Sequence, residues 1–272
     1  MSNSTSYRLT AIRAAIAARA VVMKGFRRAI DKEFKRDAHD IVTFYDRAAE
    51  ELIIEEIKKD FPDSRIVGEE GGERGGEDPT WVIDPIDGTS NFAAGIPFWC
   101  ISIGVSVEGK LVAGVIYNPV ENLLFSADEH GALLNDQPLK VDSPDDPLEA
   151  TLISSFPNVK DLDLLGDKVF ETSKKLTTSF QASRNLGSGA LNLAYVATGW
   201  ADATFGFSTS PWDVAAGAFI LEKAGGTFRS FDGGVEVDSP LEAVDYYAFG
   251  SKNPYEPLGG EVQRLSTLAG KA

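Results

Sequence analysis

Two aspartates, Asp84 and Asp87, follow the apolar segment Trp81-Val82-Ile83, which has the pattern of a short buried strand. Pro85 fixes the backbone angle directly after Asp84 and prevents further regular strand pairing, and a turn then brings Asp87 round three residues along the chain. The two carboxylates and the carbonyl groups between them can therefore converge on one point. Oxygen ligands of this kind suit a hard cation such as Mg²⁺, which usually keeps several waters and leaves room for a phosphate group.

The next residues, Gly88-Thr89-Ser90, are predicted to begin a helix, where unpaired backbone N–H groups bind phosphate readily. A metal ion and a phosphate would then lie side by side. The alternative is that Asp-Pro-Ile-Asp-Gly is only a turn between a strand and a helix, with Asp87 as its cap. The local sequence is compatible with both interpretations.

Further carboxylates lie at the ends of predicted elements. Glu69 and Glu70 follow a predicted strand over residues 65–67 and precede a glycine-rich loop that we expect to be mobile. Asp213 lies in the first turn of a predicted helix, where the helix dipole favours an anion, although Ser210 and Asp213 could equally form a capping box. The position of Asp213 therefore admits a ligand role and a purely structural one.

The elements that must position these residues follow from hydrophobic periodicity and turn signals. Asp46 opens a predicted helix over residues 46–60, where Thr43 and Asp46 could also form a capping box. The other predicted helices are residues 7–30, 163–178, 188–198 and 211–224, and the predicted strands include 101–107, 111–117, 123–127, 131–134, 137–141 and 151–155. Helices and antiparallel strands alternate without βαβ regularity, so we expect an α+β fold in layers.

A turn-rich stretch, Pro144-Asp145-Asp146-Pro147, is the best candidate boundary within the chain. It separates an N-terminal α+β half, residues 1–145, from a C-terminal α/β half, residues 146–272. The first half carries most of the candidate ligands and the second carries Asp213. A chain of 272 residues is long enough for one large domain or two ordinary ones.

The charge balance limits the kinds of partner. The chain has 41 Asp+Glu against 26 Lys+Arg, a net charge of −15, whereas nucleic acid polymers and anionic membranes require clustered Lys and Arg. We therefore expect a small phosphorylated metabolite, held through bound cations, and neither a nucleic acid nor a membrane. Cys100 is the single cysteine, which excludes an intrachain disulfide and a cysteine-based zinc site and fits the cytoplasm. The stretch from Ala11 to Val22 is interrupted by Arg13 and Arg19, so we expect no signal peptide there.

Four segments resemble the motifs of the inositol monophosphatase family, in the family's order. They are Asp40-Ile41-Val42-Thr43 followed by Asp46, Gly68-Glu69-Glu70, Trp81 to Phe92, and Pro211 to Gly217 followed by Ala224-Gly225-Gly226. The resemblance covers most of the chain. It implies a layered α-β-α-β-α sandwich of the inositol monophosphatase and fructose-1,6-bisphosphatase type, and also lithium sensitivity and a homodimer.

The resemblance also implies a set of metal ligands. The first Mg²⁺ ion would be bound by Glu69, Asp84 and the carbonyl oxygen of Ile86. The second would be bound by Asp84, Asp87 and Asp213, and Glu69 would help to hold a third and weaker ion. The implied cofactor is thus two or three Mg²⁺ ions per site, with Mn²⁺ as the alternative ion.

The catalytic roles come from the same resemblance. Asp46 and Thr89 would orient and deprotonate the attacking water beside the first ion, with Glu69 as the third catalytic residue. The backbone N–H groups of Gly88 and Thr89 would hold the phosphate. This agrees with the chemistry of phosphoryl transfer to water, which depends mainly on positioning and on charge stabilisation.

The substrate side departs from the family pattern. In the inositol-specific enzymes a carboxylate lies seven residues before the aspartate that corresponds to Asp213, and here that position is Gly206. Ser188 and Gly189 match the segment that lines the substrate, and Arg184 just before it could contact an anion. The four residues expected on the substrate side are thus Arg184, Ser188, Gly189 and Gly206.

The function predicted from the sequence is Mg²⁺-dependent hydrolysis of a small sugar or polyol phosphate, with inositol 1-phosphate as the first choice. The alternatives within the family are histidinol phosphate, fructose 1,6-bisphosphate and nucleotide 2′- or 3′-phosphates. Phe205 and Phe207 could stack on a ring of such a substrate, but buried packing is the more common role of aromatic residues and is the one we expect. A non-catalytic member of the family that acts as a binding subunit is the alternative from another class of function.

Overall fold

The computed structural model describes residues 3–28, 32–34 and 41–270. Within them the helices are α1 (Asn3–Gly25), α2 (Phe44–Lys58), α3 (Thr89–Ala94), α4 (Val159–Leu165), α5 (Lys168–Ser179), α6 (Gly189–Thr198), α7 (Pro211–Ala224) and α8 (Glu256–Ala269). The strands are β1 (Lys32–Phe34), β2 (Ile41–Thr43), β3 (Ser64–Gly68), β4 (Gly72–Arg74), β5 (Glu77–Asp87), β6 (Cys100–Val107), β7 (Lys110–Asn118), β8 (Leu123–Asp128), β9 (Gly131–Leu134), β10 (Gln137–Leu139), β11 (Thr151–Ser154), β12 (Ala182–Asn185), β13 (Ala203–Gly206), β14 (Thr227–Asp232), β15 (Val235–Val237) and β16 (Asp245–Phe249). Short 3₁₀ helices lie at Pro147–Glu149 and Pro240–Glu242.

Two mixed sheets form the framework. The larger has eight strands in the order β10-β9-β8-β7-β6-β5-β3-β4, and the smaller has six in the order β12-β11-β13-β16-β14-β15. In the larger sheet β3 and β5 pair in parallel, with Gly68 opposite Ile83, so their carboxyl ends meet at one edge. The other pairs of the larger sheet are antiparallel.

Three buried clusters alternate with the sheets and give the α-β-α-β-α layering. The first joins α1 and α2 to one face of the larger sheet, the second places α6 and α7 between the two sheets, and the third joins α4, α5 and α8 to the outer face of the smaller sheet. The layered α+β fold expected from the sequence is confirmed.

Helix α7 lies very close to the larger sheet because two strand positions have no side chain. A Cβ atom on Gly104 of β6 would lie 2.8 Å from the Cβ atom of Ala215, and one on Gly114 of β7 would lie 2.8 Å from the carbonyl oxygen of Ala216. The small residues on both elements therefore let the start of α7, with Asp213, approach the end of β5.

The proposed halves, residues 1–145 and 146–272, correspond to the larger and the smaller sheet. Helices α6 and α7 of the second half pack against β6, β7 and β8 of the first, so the halves share the buried layer between the sheets. The division remains a proposal about chain organisation. No helix among the described ranges is both long and apolar enough to cross a membrane.

One predicted helix is divided in the structure. The helix expected over residues 163–178 is two helices, α4 and α5, because Gly166 adopts a positive φ of 56° and turns the chain between them. Of the candidate motif 40–43, Asp40 lies outside the described residues.

Candidate active site

Three aspartates from distant parts of the chain meet at one buried point. One carboxylate oxygen from each of Asp84, Asp87 and Asp213 lies within 4.8 Å of the other two. Asp84 and Asp87 end β5, where the pairing with β6 shifts register between them, and Asp213 lies in the first turn of α7. Asp84 and Asp87 are buried, with 2% and 8% of their surface exposed, and Asp213 is half-buried.

Glu69 lies beside this cluster because β3 runs parallel to β5. Its backbone N–H donates to the carbonyl oxygen of Ile83 at 3.1 Å, which extends the strand pairing by one residue. Burial is the largest cause of the raised pKa of Asp84, and the charge of Glu69 is the second. The side chains of Glu69 and Asp84 are within hydrogen-bonding distance. The structure therefore brings together the four carboxylates that the sequence placed in the metal site.

Asp87 is held by the start of α6. Its Oδ2 accepts hydrogen bonds from the Ser188 hydroxyl and from the Ala190 N–H at 2.9 Å, and its Oδ1 accepts from the Gly189 N–H at 3.3 Å. The Cys100 thiol also points at Oδ2, at 3.7 Å. The observed partner of the buried Ser188 is thus Asp87, while its expected contact with substrate remains a prediction.

Asp46 and Thr89 are also in contact. The Thr89 hydroxyl lies 3.1 Å from Asp46 Oδ1 and 3.0 Å from the carbonyl oxygen of Ile86. Thr43 and Asp46 do form a capping box at the start of α2, with the Thr43 N–H 2.8 Å from Asp46 Oδ2. The structural and the chemical interpretations are therefore compatible, because the cap uses one carboxylate oxygen and leaves the other facing Thr89.

Gly88 precedes α3 in a conformation that favours glycine. Its φ is +93°, and a Cβ atom there would lie 3.1 Å from the carbonyl oxygen of Phe98. This backbone conformation begins the short helix at Thr89 directly after Asp87. The phosphate contacts expected of Gly88 and Thr89 remain predictions.

Burial dominates the electrostatics of the site. It raises the pKa of Asp46 to about 6 and that of Asp213 to about 7, and it raises the pKa of Asp84 well above its ordinary value. The neighbouring carboxylates add to the effect. A cation that entered the cluster would remove this mutual repulsion.

The donor set fits a hard divalent cation. Asp84, Asp87 and Asp213 offer carboxylate oxygens within reach of one ion, with Glu69 beside them, and the predicted ligand from Ile86 is a carbonyl oxygen. Oxygen donors of this type suit Mg²⁺ and Mn²⁺. Cys100, the only soft donor close by among the described residues, has its thiol directed at Asp87, and burial raises the pKa of this thiol well above its ordinary value.

The stability of the metal-free protein should fall as the pH rises through about 6 to 7. Because the pKa values of Asp46 and Asp213 are raised from 3.8, their contribution to stability is fully present below about pH 4 and is lost as they ionise in the folded state. We expect a higher midpoint of thermal unfolding in EDTA at pH 5 than at pH 8. Added Mg²⁺ should raise the midpoint mainly at pH 8, since it binds the ionised cluster.

Asp213→Asn is the control for this pH effect. It removes one of the titrating groups, so the difference between the midpoints at pH 5 and pH 8 should shrink. If the midpoints at pH 5 and pH 8 differed equally in the variant and the wild type, Asp213 would not be the source of the pH effect.

A cavity of about 180 Å³ opens beside the carboxylates on the side of the smaller sheet. Asp87 and Asp213 form one part of its wall, and Gly189 and Gly206, two of the expected substrate contacts, form another. A Cβ atom on Gly206 would lie 2.8 Å from Cε1 of Tyr246. The glycine therefore gives space to the Tyr246 ring, and a larger residue at this position would have to displace it.

The aromatic residues of this wall belong to the core. Phe205 and Phe207 are buried and pack with Phe156, at ring-centroid distances of 5.2 and 5.6 Å from it. The expectation that they serve buried packing is confirmed.

The basic residue of the cavity wall is not the one that the sequence suggested for the substrate side. Arg184 is exposed on β12 at the edge of the smaller sheet, donates to the carbonyl oxygen of Ser183 at 2.8 Å, and is not part of the cavity wall. Lys160, which sequence reasoning missed, is the one basic residue among the described residues of that wall. It lies in the first turn of α4, and its charge lowers the pKa of Asp213 against the effect of burial. The capping box of Asn158 and Asp161 could have indicated this helix start in the sequence.

The comparisons with known proteins agree with this fold. A model described as the inositol monophosphatase family matches residues 4–263. The chain belongs to the inositol monophosphatase family. It is 41% identical over 228 residues to "Nus factor SuhB" of Pasteurella multocida, covering 82% of this chain and 85% of the relative. It is 38% identical over 223 residues to "Inositol monophosphatase 3" of Solanum lycopersicum, covering 79% and 82%. The solved inositol monophosphatase of Anabaena (Nostoc) superposes with a TM-score of 0.78 at 31% identity, over 100% of this chain and 98% of that one.

Membership of this metal-dependent phosphatase family confirms the recognition that the sequence motifs suggested. The relatives nevertheless carry two kinds of name, a Nus factor and a phosphatase. The family therefore supports binding of small phosphorylated substrates in general and leaves inositol phosphate as one member of that class. The comparisons give no support to the expectation that excludes a nucleic acid partner.

Proposed function

We propose that this protein hydrolyses the phosphate monoester of a small sugar or polyol in a Mg²⁺-dependent reaction, with inositol 1-phosphate as the first substrate to test. The observation that carries the proposal is the meeting of Asp84, Asp87 and Asp213, with one oxygen of each within 4.8 Å of the others, next to a cavity of about 180 Å³. A buried group of like charges is unfavourable without cations, so a purely structural role does not explain it.

The proposed metal ligands are Glu69, Asp84, the Ile86 carbonyl, Asp87 and Asp213. Mg²⁺ bound there would supply positive charge to the phosphate oxygens and lower the pKa of a water molecule. The Ser188 hydroxyl and the first N–H groups of α6 fix the orientation of Asp87. This support leaves the carboxylate little freedom to turn away from an ion.

In the proposed reaction, Thr89 and Asp46 handle the proton of the attacking water. The Thr89 hydroxyl accepts a hydrogen bond from the water and donates its own proton toward Asp46 Oδ1, 3.1 Å away. The N–H groups of Gly88 and Thr89 hold the phosphate while the water oxygen bonds to phosphorus and the ester P–O bond breaks. The alkoxide leaves on the side of Gly189 and Gly206 and takes a proton from solvent water. Arg184 could contact an anionic group of the substrate only if the substrate extended beyond the cavity.

The test is a panel of phosphomonoesters at fixed Mg²⁺, with EDTA and Mn²⁺ as parallel conditions. The panel contains inositol 1-phosphate, histidinol phosphate, fructose 1,6-bisphosphate and nucleotide 2′- and 3′-phosphates. We expect phosphate release that EDTA abolishes. A folded protein that binds Mg²⁺ and releases phosphate from none of them would instead support the binding-subunit alternative. Lithium inhibition, a homodimer and a cytoplasmic location belong to the same proposal through family membership.

Lys160 should discriminate between substrates that carry one and two anionic groups. It is the basic group among the described residues of the cavity wall, and a hydrogen bond to a charged group contributes about tenfold to a hundredfold in affinity. Lys160→Gln should lower kcat/KM for fructose 1,6-bisphosphate by about tenfold and change the value for inositol 1-phosphate by less than about twofold.

Lys168→Gln is the matched control, because Lys168 lies on α5, is exposed and pairs with Glu171. It should leave both substrates unaffected. Equal losses for the two substrates in Lys160→Gln would show that Lys160 acts on the shared phosphate and not on a second anion.

A further inference from the structure

A buried carboxylate outside the proposed ligand set fastens the turn that carries Glu69. Glu50 lies on α2 one helical turn after Asp46 and is 1% exposed. Its Oε2 accepts a hydrogen bond from the Glu70 N–H at 3.0 Å, and its Oε1 accepts from the Gly71 N–H at 2.7 Å. Both donors directly follow Glu69, so the backbone on one side of that residue is tied to α2.

The glycines around Glu69 make room for this carboxylate. A Cβ atom on Gly68 would lie 2.4 Å from Glu50 Oε2, and one on Gly71 would lie 2.6 Å from Glu50 Oε1. Such distances are far below van der Waals contact. The sequence suggested that this glycine-rich segment is a mobile loop. At its start, however, the backbone packs closely against the Glu50 carboxylate.

The charges around Glu50 support its role as an acceptor. Burial raises the pKa of Glu50, while the two backbone N–H groups and Arg74, whose Nη2 lies 3.8 Å from Oε1, oppose that effect. Hydrogen bonds from N–H groups to an ionised carboxylate are about twice as strong as those between neutral groups. Arg74 also pairs with the neighbouring Glu51, which is exposed.

We infer that Glu50 is a positioning residue for Glu69, which it holds through the backbone of the next two residues. Because Glu50 and Asp46 share one face of α2, the metal ligand Glu69 and the proton acceptor Asp46 keep a fixed relative position. The inference rests on the proposed function in one respect, the assignment of Glu69 as a metal ligand. It adds a residue that touches neither metal nor substrate.

Mg²⁺ titration by calorimetry, without substrate, tests the inference in Glu50→Gln. The glutamine keeps the size of the side chain but has one acceptor oxygen, so one of the two N–H groups loses its partner. Partners that orient a metal ligand typically contribute 10–100-fold to metal affinity, and we expect Mg²⁺ to bind about tenfold more weakly. In the kinetics, the Mg²⁺ concentration for half-maximal activity should rise by a similar factor while KM for the substrate stays unchanged.

Glu51→Gln is the matched control, because it is the same change at the next residue, on an exposed side chain paired with the same Arg74. The Mg²⁺ affinity of Glu51→Gln should stay within about twofold of the wild type. The loss expected for Glu50→Gln is larger, because Glu50 orients the backbone of a metal ligand. Thermal unfolding in EDTA separates a general loss of stability from a specific loss of Mg²⁺ binding. A lower midpoint with normal Mg²⁺ affinity in Glu50→Gln would overturn the inference.

Gly68→Ala provides a second and independent variant. Its methyl group would collide with Glu50, so it should weaken Mg²⁺ binding by itself, and Glu50→Ala should relieve part of that loss in the double variant. Fully additive losses would show that the contact with Glu50 is not the cause.

If the wild type bound no Mg²⁺, the proposed function would fail, and the assignment of Glu69 as a metal ligand would fail with it. If the wild type and Glu50→Gln bound Mg²⁺ equally well, only the inference about Glu50 would be contradicted.

Discussion

Asp84→Asn should lower Mg²⁺-dependent phosphate release by about 10³-fold, the upper end of the loss seen when one preorganised electrostatic contact is removed from an active site. Asp84 is the carboxylate shared between the two proposed ions, and it is buried among Glu69, Asp87 and Asp213. An amide offers a weaker ligand and places an N–H₂ group where a cation would lie. Initial rates of phosphate release over a Mg²⁺ series measure the effect.

The same substitution should stabilise the metal-free protein. Burial and three neighbouring carboxylates raise the pKa of Asp84, so removing its charge relieves repulsion. The fold has a simple way to accept the change, because Asp84 Oδ1 accepts a hydrogen bond from the Ile86 N–H at 3.0 Å and an asparagine oxygen can do the same. The midpoint of thermal unfolding in EDTA should rise by about 2–4 °C for each kcal/mol of relieved repulsion.

Asp136→Asn, in the exposed turn between β9 and β10, is the matched control and should change neither property. The opposite movement of activity and stability is the signature of a metal-binding cluster. Near-normal turnover in Asp84→Asn would refute the ligand assignment, and a lower midpoint in EDTA would show that Asp84 stabilises the fold instead.

Thr89→Ala should reduce kcat by about 10²-fold and leave Mg²⁺ affinity within about twofold, because positioned proton transfer contributes at least about 10²-fold. Thr89 is the only residue whose hydroxyl contacts both Asp46 and the Ile86 carbonyl among the described hydrogen bonds. Its removal should therefore affect the water more than the ions. Steady-state kinetics at saturating Mg²⁺ and a calorimetric Mg²⁺ titration measure the two quantities separately.

Thr89→Ser is the conservative control, since it keeps the hydroxyl and loses only the methyl group. We expect it to retain most of the activity. If Thr89→Ser were as inactive as Thr89→Ala, or if Thr89→Ala lost Mg²⁺ affinity in proportion to kcat, Thr89 would act through the shape of the site and not through proton transfer.

The larger sheet was the more predictable half of the fold. Its strand 101–107 alternates Ile and Val with Ser and Gly, and a Glu-Gly-Lys turn joins it to the apolar strand 111–117. Local rules therefore suffice to place β6 and β7. The smaller sheet was mostly missed. Its strands β14 and β16 carry Phe and Tyr residues buried on both faces, and without alternation the sequence pattern does not identify them.

The candidate site divides in the same way. The segment 81–89 by itself places Asp84, Asp87 and Thr89 together, because a proline at a strand end, a turn and a glycine-started helix are local features. The motifs then identified Glu69 and Asp213 by family resemblance, but local patterns left Asp213 with a capping-box alternative. The structure resolves the geometry: β3 runs parallel to β5, and the glycines of β6 and β7 let α7 approach.

Sequence alone determined the family, the layered class of fold and the carboxylates to consider, since these depend on residue type, order and short spacing. Only the tertiary structure decided that Lys160 rather than Arg184 lines the cavity, that Gly206 gives its space to Tyr246, and that Glu50 reaches the turn after Glu69. Those contacts join residues far apart in the chain, and their geometry depends on how helices pack on sheets. No local pattern encodes that packing.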